Sequence, residues 1–200
     1  MALAVPLAAV GADEAPDALI ARLTLEALEI LRTDPKVQEG DVAYIMELVD
    51  RKVMPHMDFQ RMTALAVGPA WRRATENQRS LLAAEFKALL VRTYAGALGQ
   101  AKDLKFEMKP LRGSPTDQEV VVRSVIKGRG DPIQLDYRLE RTPGQGAGWK
   151  IFNLNVFGVW LVDTYRSQFA QEINAKGVDG LISTLAARNK SNAADDKIKK

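Results

Sequence analysis

Residues 119–141 read EVVVRSVIKGRGDPIQLDYRLER, and this stretch decides the fold. Apolar and polar side chains alternate from Val120 to Lys127 and again from Ile133 to Glu140. Alternation with a period of two predicts strands that each bury one face. The glycines, aspartate and proline of residues 128–132 predict a tight turn between the two runs. The stretch therefore predicts a β-hairpin.

Two further runs extend this hairpin into a sheet. Apolar and charged residues alternate at 104–109, and another apolar run covers 152–156. Turn-forming residues at 113–115 and 143–148 separate the runs. Four successive strands with short links predict an antiparallel meander. We expect a curved four-stranded antiparallel sheet over residues 103–157.

Helical patterns lie on both sides of the predicted sheet. Apolar residues recur at spacings of three and four through residues 16–100 and again through 158–189. About six or seven helices fit these segments, and Thr75 with Gln78 predicts a capping box. Helix ends are predicted at Asp34-Pro35, Met54-Pro55, Gly68-Pro69 and Gly177. The order of helices and strands predicts one α+β domain over residues 13–190.

The two ends of the chain differ from the domain in composition. Residues 1–12, MALAVPLAAVGA, carry no charge and end in small residues, which predicts the remnant of a signal peptide and an exported protein. No later stretch is apolar enough to span a membrane, so we expect the mature chain to be soluble. Residues 191–200 are small and charged, and we expect a flexible tail.

Composition excludes several classes of function. The 200 residues include no cysteine and one histidine, which excludes disulfides, zinc-thiolate centres, a cysteine nucleophile and multi-histidine metal sites. A formal net charge of +3 is too small to indicate nucleic-acid binding. The glycine-rich stretches at 128–130 and 144–148 lie between predicted strands, so we interpret them as hairpin turns rather than phosphate-binding loops. No metal site and no catalytic residues are predicted.

Large apolar residues are the prominent remaining feature. Methionines and aromatic residues recur in the helices and on one face of the sheet, where they fit either a packed core or the wall of a ligand pocket. A curved antiparallel sheet with helices across its concave side leaves room for such a pocket. Residue pattern alone leaves open whether side chains or a ligand fill it.

Several motifs together resemble one family. They are PHMDF at 55–59, VGPAWR at 67–72, TENQ at 75–78, FKALLVRTY at 86–94, VRSVI at 122–126, PIQLDYRL at 132–139, GWKI at 148–151, TYRSQF at 164–169 and GVDGLI at 177–182. In order and spacing they resemble the MlaC family, the toluene-tolerance or ABC-transporter auxiliary proteins of Gram-negative bacteria. The resemblance spans about residues 16–190.

The resemblance implies a fold, a function and partners. It implies an NTF2-like arrangement around a deep apolar pocket, and a monomeric periplasmic carrier without enzymatic activity. The expected ligand is a phospholipid, either phosphatidylethanolamine or phosphatidylglycerol. The expected partners are an outer-membrane lipoprotein–porin complex and an inner-membrane ABC transporter with an MCE-domain protein. Such carriers are tied to outer-membrane lipid asymmetry, and no nucleic-acid partner is expected.

With this function in view, we expect the acyl chains to lie inside the pocket and the headgroup to stay at its mouth, with little selectivity among headgroups. Two chains of about fifteen methylenes each would cost roughly 24 kcal/mol if exposed to water, whereas the phosphate is expensive to desolvate. The predicted lipid-binding residues are Met54, Phe59, Phe86, Leu90, Tyr94, Val122, Ile133, Leu135, Tyr137, Phe152, Leu154, Trp160, Tyr165 and Phe169. Arg123, Arg138 and Arg166 are predicted to dock on acidic partner surfaces.

Two other functions fit the same kind of pocket. A small NTF2-like enzyme would need a polar group deep inside it, and Asp136 or Tyr137 is the best candidate. A periplasmic chaperone or interaction module would instead bind peptide segments there. A carrier of lipid is distinguished from both by phospholipid that stays with the purified protein.

Overall fold

The computed structural model describes residues 13–98, 104–114, 116–128 and 131–198. Residues 1–12, the predicted remnant of a signal peptide, lie outside this part of the chain. Five antiparallel strands form one open sheet in chain order. They are β1 Lys105–Met108, β2 Glu119–Lys127, β3 Ile133–Arg141, β4 Trp149–Val156 and β5 Val159–Trp160. The predicted α+β class and antiparallel meander are confirmed.

The predicted number of four strands is wrong by one. Val156 pairs with Val159 across a two-residue turn, and Phe157 and Gly158 in that turn have φ angles of 55° and 84°. Such turns usually carry asparagine or aspartate before the glycine. Because phenylalanine holds that position here, the sequence lacks the usual hairpin signal, and the helix predicted from Val159 begins two residues later.

Six α-helices surround the sheet in the described part of the chain. They are α1 Pro16–Thr33, α2 Pro35–Gln38, α3 Val42–Leu48, α4 Phe59–Val67, α5 Glu76–Leu98 and α6 Leu161–Ile198. Pro16 and Pro35 stand at the starts of α1 and α2, where the missing amide hydrogen costs nothing. The carboxylate of Asp34 accepts the amide hydrogen of Lys36 at 3.0 Å, so α1 ends where the sequence predicts and α2 begins at once.

The predicted capping box at the start of α5 and the predicted break at Gly177 in α6 are both present. The capping box is present: the Thr75 amide donates to Gln78 Oε1 at 2.9 Å, and the Gln78 amide donates to Thr75 Oγ1 at 3.2 Å. Gly177 breaks the helical path of α6 with a φ of 71°, as predicted. Residues 191–198 are helical, since α6 runs on to Ile198, and the flexibility predicted for residues 191–200 stays a prediction.

The segment after α3 departs from the single helix that the sequence predicts. Residues 49–53 (Val49–Val53) form a π-helix, and Met54–His56 form a 3-10 turn before α4. Pro55 has no amide hydrogen to donate, so the helix ends there as expected. Lys52 and Val53 of this π-helix lie near residues of α1.

Three apolar clusters hold the described elements together, and the smallest of them, around buried Val37 and Ile45, joins α1, α2 and α3. In the aromatic core, Phe59 of α4, Phe86 of α5 and Phe169 of α6 are buried among aliphatic residues of the same helices. In the sheet core, Leu19 and Ile20 of α1 pack on buried residues of β2, β3 and β4. The opposite face of the sheet carries Arg123, Asp136 and Arg138, so the sheet separates an apolar layer from a polar one.

Candidate functional site

A cavity of about 330 Å³ lies between the sheet and the helices α1 to α3. The sheet forms one side, α1 crosses above it, and α3 with its π-helical extension forms the far wall. Its lining residues in the described chain are Ile20, Leu23, Thr24, Glu26, Ala27, Leu28, Ile30, Leu31, Val37, Ile45, Leu48, Val49, Lys52, Val53, Met57, Ile126, Leu135, Tyr137, Ile151 and Leu154. Sixteen of these twenty residues are apolar, so the cavity suits an apolar ligand.

The sequence builds this wall through two different periodicities. On α1, Ile20, Leu23, Ala27 and Leu31 recur every three or four residues and therefore share one face of the helix. On β3, Leu135 and Tyr137 are two residues apart and share one face of the sheet. Helix and strand thus present their apolar faces to each other, and the space between them is the cavity.

One hydrogen bond joins two polar groups of the cavity wall. Thr24 Oγ1 of α1 and Tyr137 Oη of β3 lie 3.3 Å apart and are both buried. Burial raises the pKa of the Tyr137 hydroxyl to about 12. The phenol therefore stays protonated at neutral pH, and the pair acts as a structural link between helix and sheet.

Charged groups border the cavity where it opens towards solvent. A shallow depression beside it is formed by Leu25, Glu26, Glu29, Ile30 and Lys52, and it shares three of these residues with the cavity. We call this depression the mouth. Leu25 is 57% exposed, which places an apolar side chain at the surface beside the charges. The mouth is therefore amphipathic, whereas the interior is apolar.

The acidic residues of the mouth have arginine partners. Glu26 pairs with Arg22 at 3.4 Å, and Glu29 pairs with Arg32 at 2.7 Å. Lys52 stands across the mouth in the π-helix, is exposed, and has no ion-pair partner within the described ranges. An anionic group arriving at the mouth would therefore meet the Lys52 ammonium, which forms no ion pair with a carboxylate of the described residues.

The structure divides the predicted lipid-binding residues among the cavity wall, the aromatic core and other positions on the sheet. Leu135, Tyr137 and Leu154 lie on the cavity wall. Seven others belong to the aromatic core or pack against it: Met54, Phe59, Phe86, Leu90, Tyr94, Tyr165 and Phe169. These seven do not border the cavity, because α4, α5 and α6 pack their large side chains against one another.

The remaining four predicted residues lie elsewhere on the sheet. Val122 is buried in the sheet core, and Ile133 pairs with the cavity residue Ile126 without bordering the cavity itself. Phe152 lies at the irregularity in β4 pairing, with the Arg61 guanidinium carbon 3.7 Å from its ring centre. Trp160 lies on β5 beneath the guanidinium of Arg138, at 4.3 Å.

Sequence reasoning missed most of the helical side of the cavity. The helical spacing of apolar residues in 16–100 includes Leu23, Ala27 and Leu31, and also Ile45 and Leu48, but it does not mark these side chains as part of a pocket. The lipid-binding residues predicted on the helices were chosen mainly because they are aromatic or methionine, whereas the helical side of the cavity is mainly aliphatic. One feature of α1 indicates the pocket: its apolar face continues beyond Leu19 and Ile20, the two residues that pack in the sheet core.

The predicted docking arginines do not form one patch. Arg123 and Arg138 lie on the sheet face opposite the cavity, while Arg166 is exposed on α6. Asp136 shares the outer sheet face with the first two and is only 4% exposed. Because Asp136 alternates with Leu135 and Tyr137, its carboxylate points away from the cavity.

Two further observations concern metals and membranes. Within residues 13–98, 104–114, 116–128 and 131–198, no three side chains of histidine, aspartate or glutamate gather in a way that could hold a metal ion. In the same residues, every helix is too short or too polar to cross a bilayer.

Comparison with known proteins decides the family. The model of the MlaC protein family matches residues 21–187, which is most of the chain. The chain belongs to the MlaC protein family. The solved structure of a phospholipid-binding protein from Ralstonia solanacearum, in complex with a phospholipid, is 39% identical to this chain and matches it with a TM-score of 0.85. It covers 90% of this chain and 99% of its own.

Two curated relatives of the MlaC family are more distant. The toluene tolerance protein ttg2D of Pseudomonas putida is 24% identical over 177 residues, covering 88% of this chain and 80% of the relative. The intermembrane phospholipid transport system binding protein MlaC of Haemophilus influenzae is 18% identical over 175 residues, which cover 87% of this chain and 82% of the relative. The resemblance predicted from the motifs is thus confirmed.

Proposed function

We propose that this protein is a periplasmic phospholipid carrier that holds acyl chains in the cavity between α1, α3 and the sheet. The observation that carries the proposal is the apolar lining of that cavity, with charged residues confined to its mouth. Membership of the MlaC family supports it. So does the phospholipid bound to the 39% identical protein from Ralstonia solanacearum.

The division between interior and mouth fits the two parts of a phospholipid. Each methylene transferred from water to an apolar site contributes about 0.8 kcal/mol, so the chains belong inside. An anionic phosphate loses several kcal/mol when it leaves water without a partner, so the headgroup belongs at the mouth. Lipid bound in this way crosses an aqueous space without exposing its chains.

The size of the cavity sets a requirement on loading. Ligand sites of about 300–1,000 Å³ bury most of a drug-sized molecule, and a lipid with two long chains is larger. At about 330 Å³ the cavity stands at the lower end of that range. Loading of a whole two-chain lipid therefore requires α1 and the segment from α3 to Met57 to move apart, and this segment includes the π-helix Val49–Val53.

The transport route belongs to the same proposal. The carrier would exchange phosphatidylethanolamine or phosphatidylglycerol between an outer-membrane lipoprotein–porin complex and an inner-membrane ABC transporter with an MCE-domain protein. It would act as a monomer and maintain outer-membrane lipid asymmetry. Arg123, Arg138 and Arg166 remain predicted docking residues, and the NTF2-like arrangement remains a prediction from the resemblance.

Two features favour a carrier over an enzyme that uses the same cavity. Asp136, the best acid–base candidate in the sequence, faces away from the cavity on the outer side of the sheet. Tyr137 does face it, but its pKa of about 12 makes it a poor proton donor or acceptor near neutral pH. An interaction module for peptides would need hydrogen-bonding groups along its groove, and four polar residues among the twenty lining positions supply few.

Organic extraction of protein purified without detergent, followed by mass spectrometry, tests the proposal. About one phospholipid per chain is expected in the wild type. Ala27→Trp places a large ring in the cavity and should abolish this lipid while the protein stays folded. Ala84→Trp, at an exposed position of α5, is the matched control and should retain it. Wild-type protein free of phospholipid would overturn the proposal.

A further inference from the structure

The hairpin between β4 and β5 exposes two large apolar side chains. Phe157 is 60% exposed and Val159 is 51% exposed, and Phe157 belongs to none of the three apolar clusters of the described residues. Leu25, Val53 and Leu81 complete the set of exposed large apolar side chains in the same part of the chain. The first two lie at the cavity or its mouth, so the hairpin is a separate apolar surface.

The backbone of Phe157 is unfavourable for the residue that occupies it. Its φ angle of 55° lies in the left-handed region, which a bulky side chain rarely adopts. The Phe157 amide donates to the carbonyl oxygen of Gln134 at 3.0 Å, which holds the turn in this conformation. Asparagine or aspartate would suit the position better. A strained and exposed ring therefore points to a function of the side chain itself.

An aromatic ring and a cation lie at the base of the hairpin. Trp160 pairs with Asn155 across β4 and β5 and is half-buried. The guanidinium carbon of Arg138 lies 4.3 Å from the centre of the Trp160 ring. Arg138 forms no ion pair with a carboxylate of the described residues, so its charge is free to meet an external anion.

We infer that the β4–β5 hairpin is a membrane-contact site, at which Phe157 and Val159 insert into an anionic lipid surface and Arg138 binds a lipid phosphate. Phenylalanine inserts at the boundary between headgroups and acyl chains, and tryptophan favours the same depth. A guanidinium binds phosphate through two parallel hydrogen bonds. The inference goes beyond the proposed function, because this contact holds whether or not the cavity carries lipid.

A bilayer fits this surface better than a protein does. A fully buried aromatic side chain covers about 150–250 Å², whereas a stable protein interface takes about 800 Å² from each partner. Phe157 and Val159 supply too little apolar area for such an interface or for a stable dimer. A bilayer instead takes up single apolar side chains without a complementary pocket. Its phosphates also complement the charge of Arg138.

Flotation of the full chain with vesicles of phosphatidylethanolamine and phosphatidylglycerol measures the contact. Phe157→Asn suits the left-handed turn, so its melting temperature should equal or exceed that of wild type. Its binding to the vesicles should nevertheless fall about tenfold, because the inserted ring is lost. Leu81→Gln is the matched control: it removes an exposed apolar side chain from α5 and should float as wild type does.

A second variant tests the phosphate contact. Arg138→Gln should bind vesicles that contain phosphatidylglycerol about fivefold more weakly, and the difference should shrink as salt is added. On vesicles of phosphatidylcholine alone its binding should equal that of wild type. Arg72→Gln removes the same charge from an exposed arginine before α5 and should leave binding to both kinds of vesicle unchanged.

A fluorescent label locates the contact. The chain contains no cysteine, so Phe157→Cys offers a single attachment point for an environment-sensitive fluorophore. Its emission should shift to shorter wavelength when vesicles are added. The same fluorophore on Leu81→Cys should keep its emission unchanged.

Several outcomes would overturn the inference. Wild type that fails to float with vesicles does so, as does Phe157→Asn that floats as well as wild type. A dimer in sedimentation velocity that Phe157→Asn abolishes would show that a second copy covers the hairpin instead. Wild type that floats but yields no phospholipid on extraction contradicts the proposed function and leaves the membrane contact standing.

Discussion

The aromatic core and the cavity are both apolar, yet their side chains fill space differently. In the core, the Phe86 ring lies 4.9 Å from that of Tyr165, 5.2 Å from Phe169 and 5.8 Å from Phe59, measured between ring centres. Around the cavity, leucine, isoleucine and valine face one another across about 330 Å³ of space. Wide, flat rings close the gap between α4, α5 and α6, whereas the aliphatic side chains around the cavity leave space between the sheet and the helices beyond Leu19 and Ile20.

This difference teaches which apolar residues serve packing and which serve binding. Aromatic pairs at 4.5–7 Å add about 0.5–1.5 kcal/mol beyond their buried area, so the core around Phe86 is a stable anchor for α4, α5 and α6. Side chains of the cavity wall have no van der Waals contacts on the side that faces the cavity. The first region holds the fold, and the second leaves room for a ligand.

Removing the central ring should have the largest effect. Phe86 is 0% exposed and contacts three other aromatic rings, so Phe86→Ala should lower the free energy of unfolding by about 3–5 kcal/mol. Urea denaturation followed by circular dichroism measures this loss. Were Phe86→Ala as stable as wild type but free of lipid, the Phe86 region would be the binding site and the comparison would be reversed.

A matched pair of leucines compares the two regions directly. Leu89→Ala removes a side chain that is 2% exposed in the aromatic core and should cost about 2–5 kcal/mol. Leu31→Ala removes one that is half-buried at the cavity and should cost about 1 kcal/mol, because fewer neighbours lose contact. Both losses of unfolding free energy are to be measured by urea denaturation of lipid-free protein. Equal losses at the two positions would mean that the cavity wall is packed as tightly as the core.

The link between helix and sheet gives the smallest effect, and it depends on pH. Tyr137→Phe removes the hydrogen bond to Thr24 and should cost about 1 kcal/mol at neutral pH. The folded pKa of about 12 lies above the ordinary value of 10, so the wild type loses stability as the unfolded phenol ionises above pH 10. By pH 11 this loss is about 1.4 kcal/mol, which removes the advantage of wild type over Tyr137→Phe.

Chemical denaturation of both proteins from pH 7 to pH 11 checks this prediction. Other groups titrate equally in the two proteins, so their difference isolates Tyr137. A difference that stays constant over the whole range would mean that the Tyr137 hydroxyl is open to solvent.

Much of the fold was predictable from sequence because local chemistry fixes it. Alternation placed β1 to β4, Pro35 marked the end of α1, and Thr75 with Gln78 formed the predicted cap. The fifth strand was not predictable, because Phe157 occupies a left-handed turn position that favours asparagine. The helical end of the chain was missed because its small, charged residues resemble those of a loose tail.

The candidate site was less predictable, for a physical reason. Periodicity shows which face of α1 or β3 is apolar, but it does not show whether the facing element touches it. Leu135, Tyr137 and Leu154 were identified because the sheet face was clear. The distance between α1 and the sheet is set by the packing of distant elements, and only the structure shows it.

Photo-crosslinking of a phospholipid that carries a diazirine at the end of one acyl chain tests the central claim most directly. The label should attach to peptides from α1, from residues 45–57 and from the cavity face of β3 and β4, and excess unlabelled lipid should suppress it. Labelling concentrated instead in α5 and α6, around Phe86 and Phe169, would contradict the assignment of the cavity as the lipid-binding site.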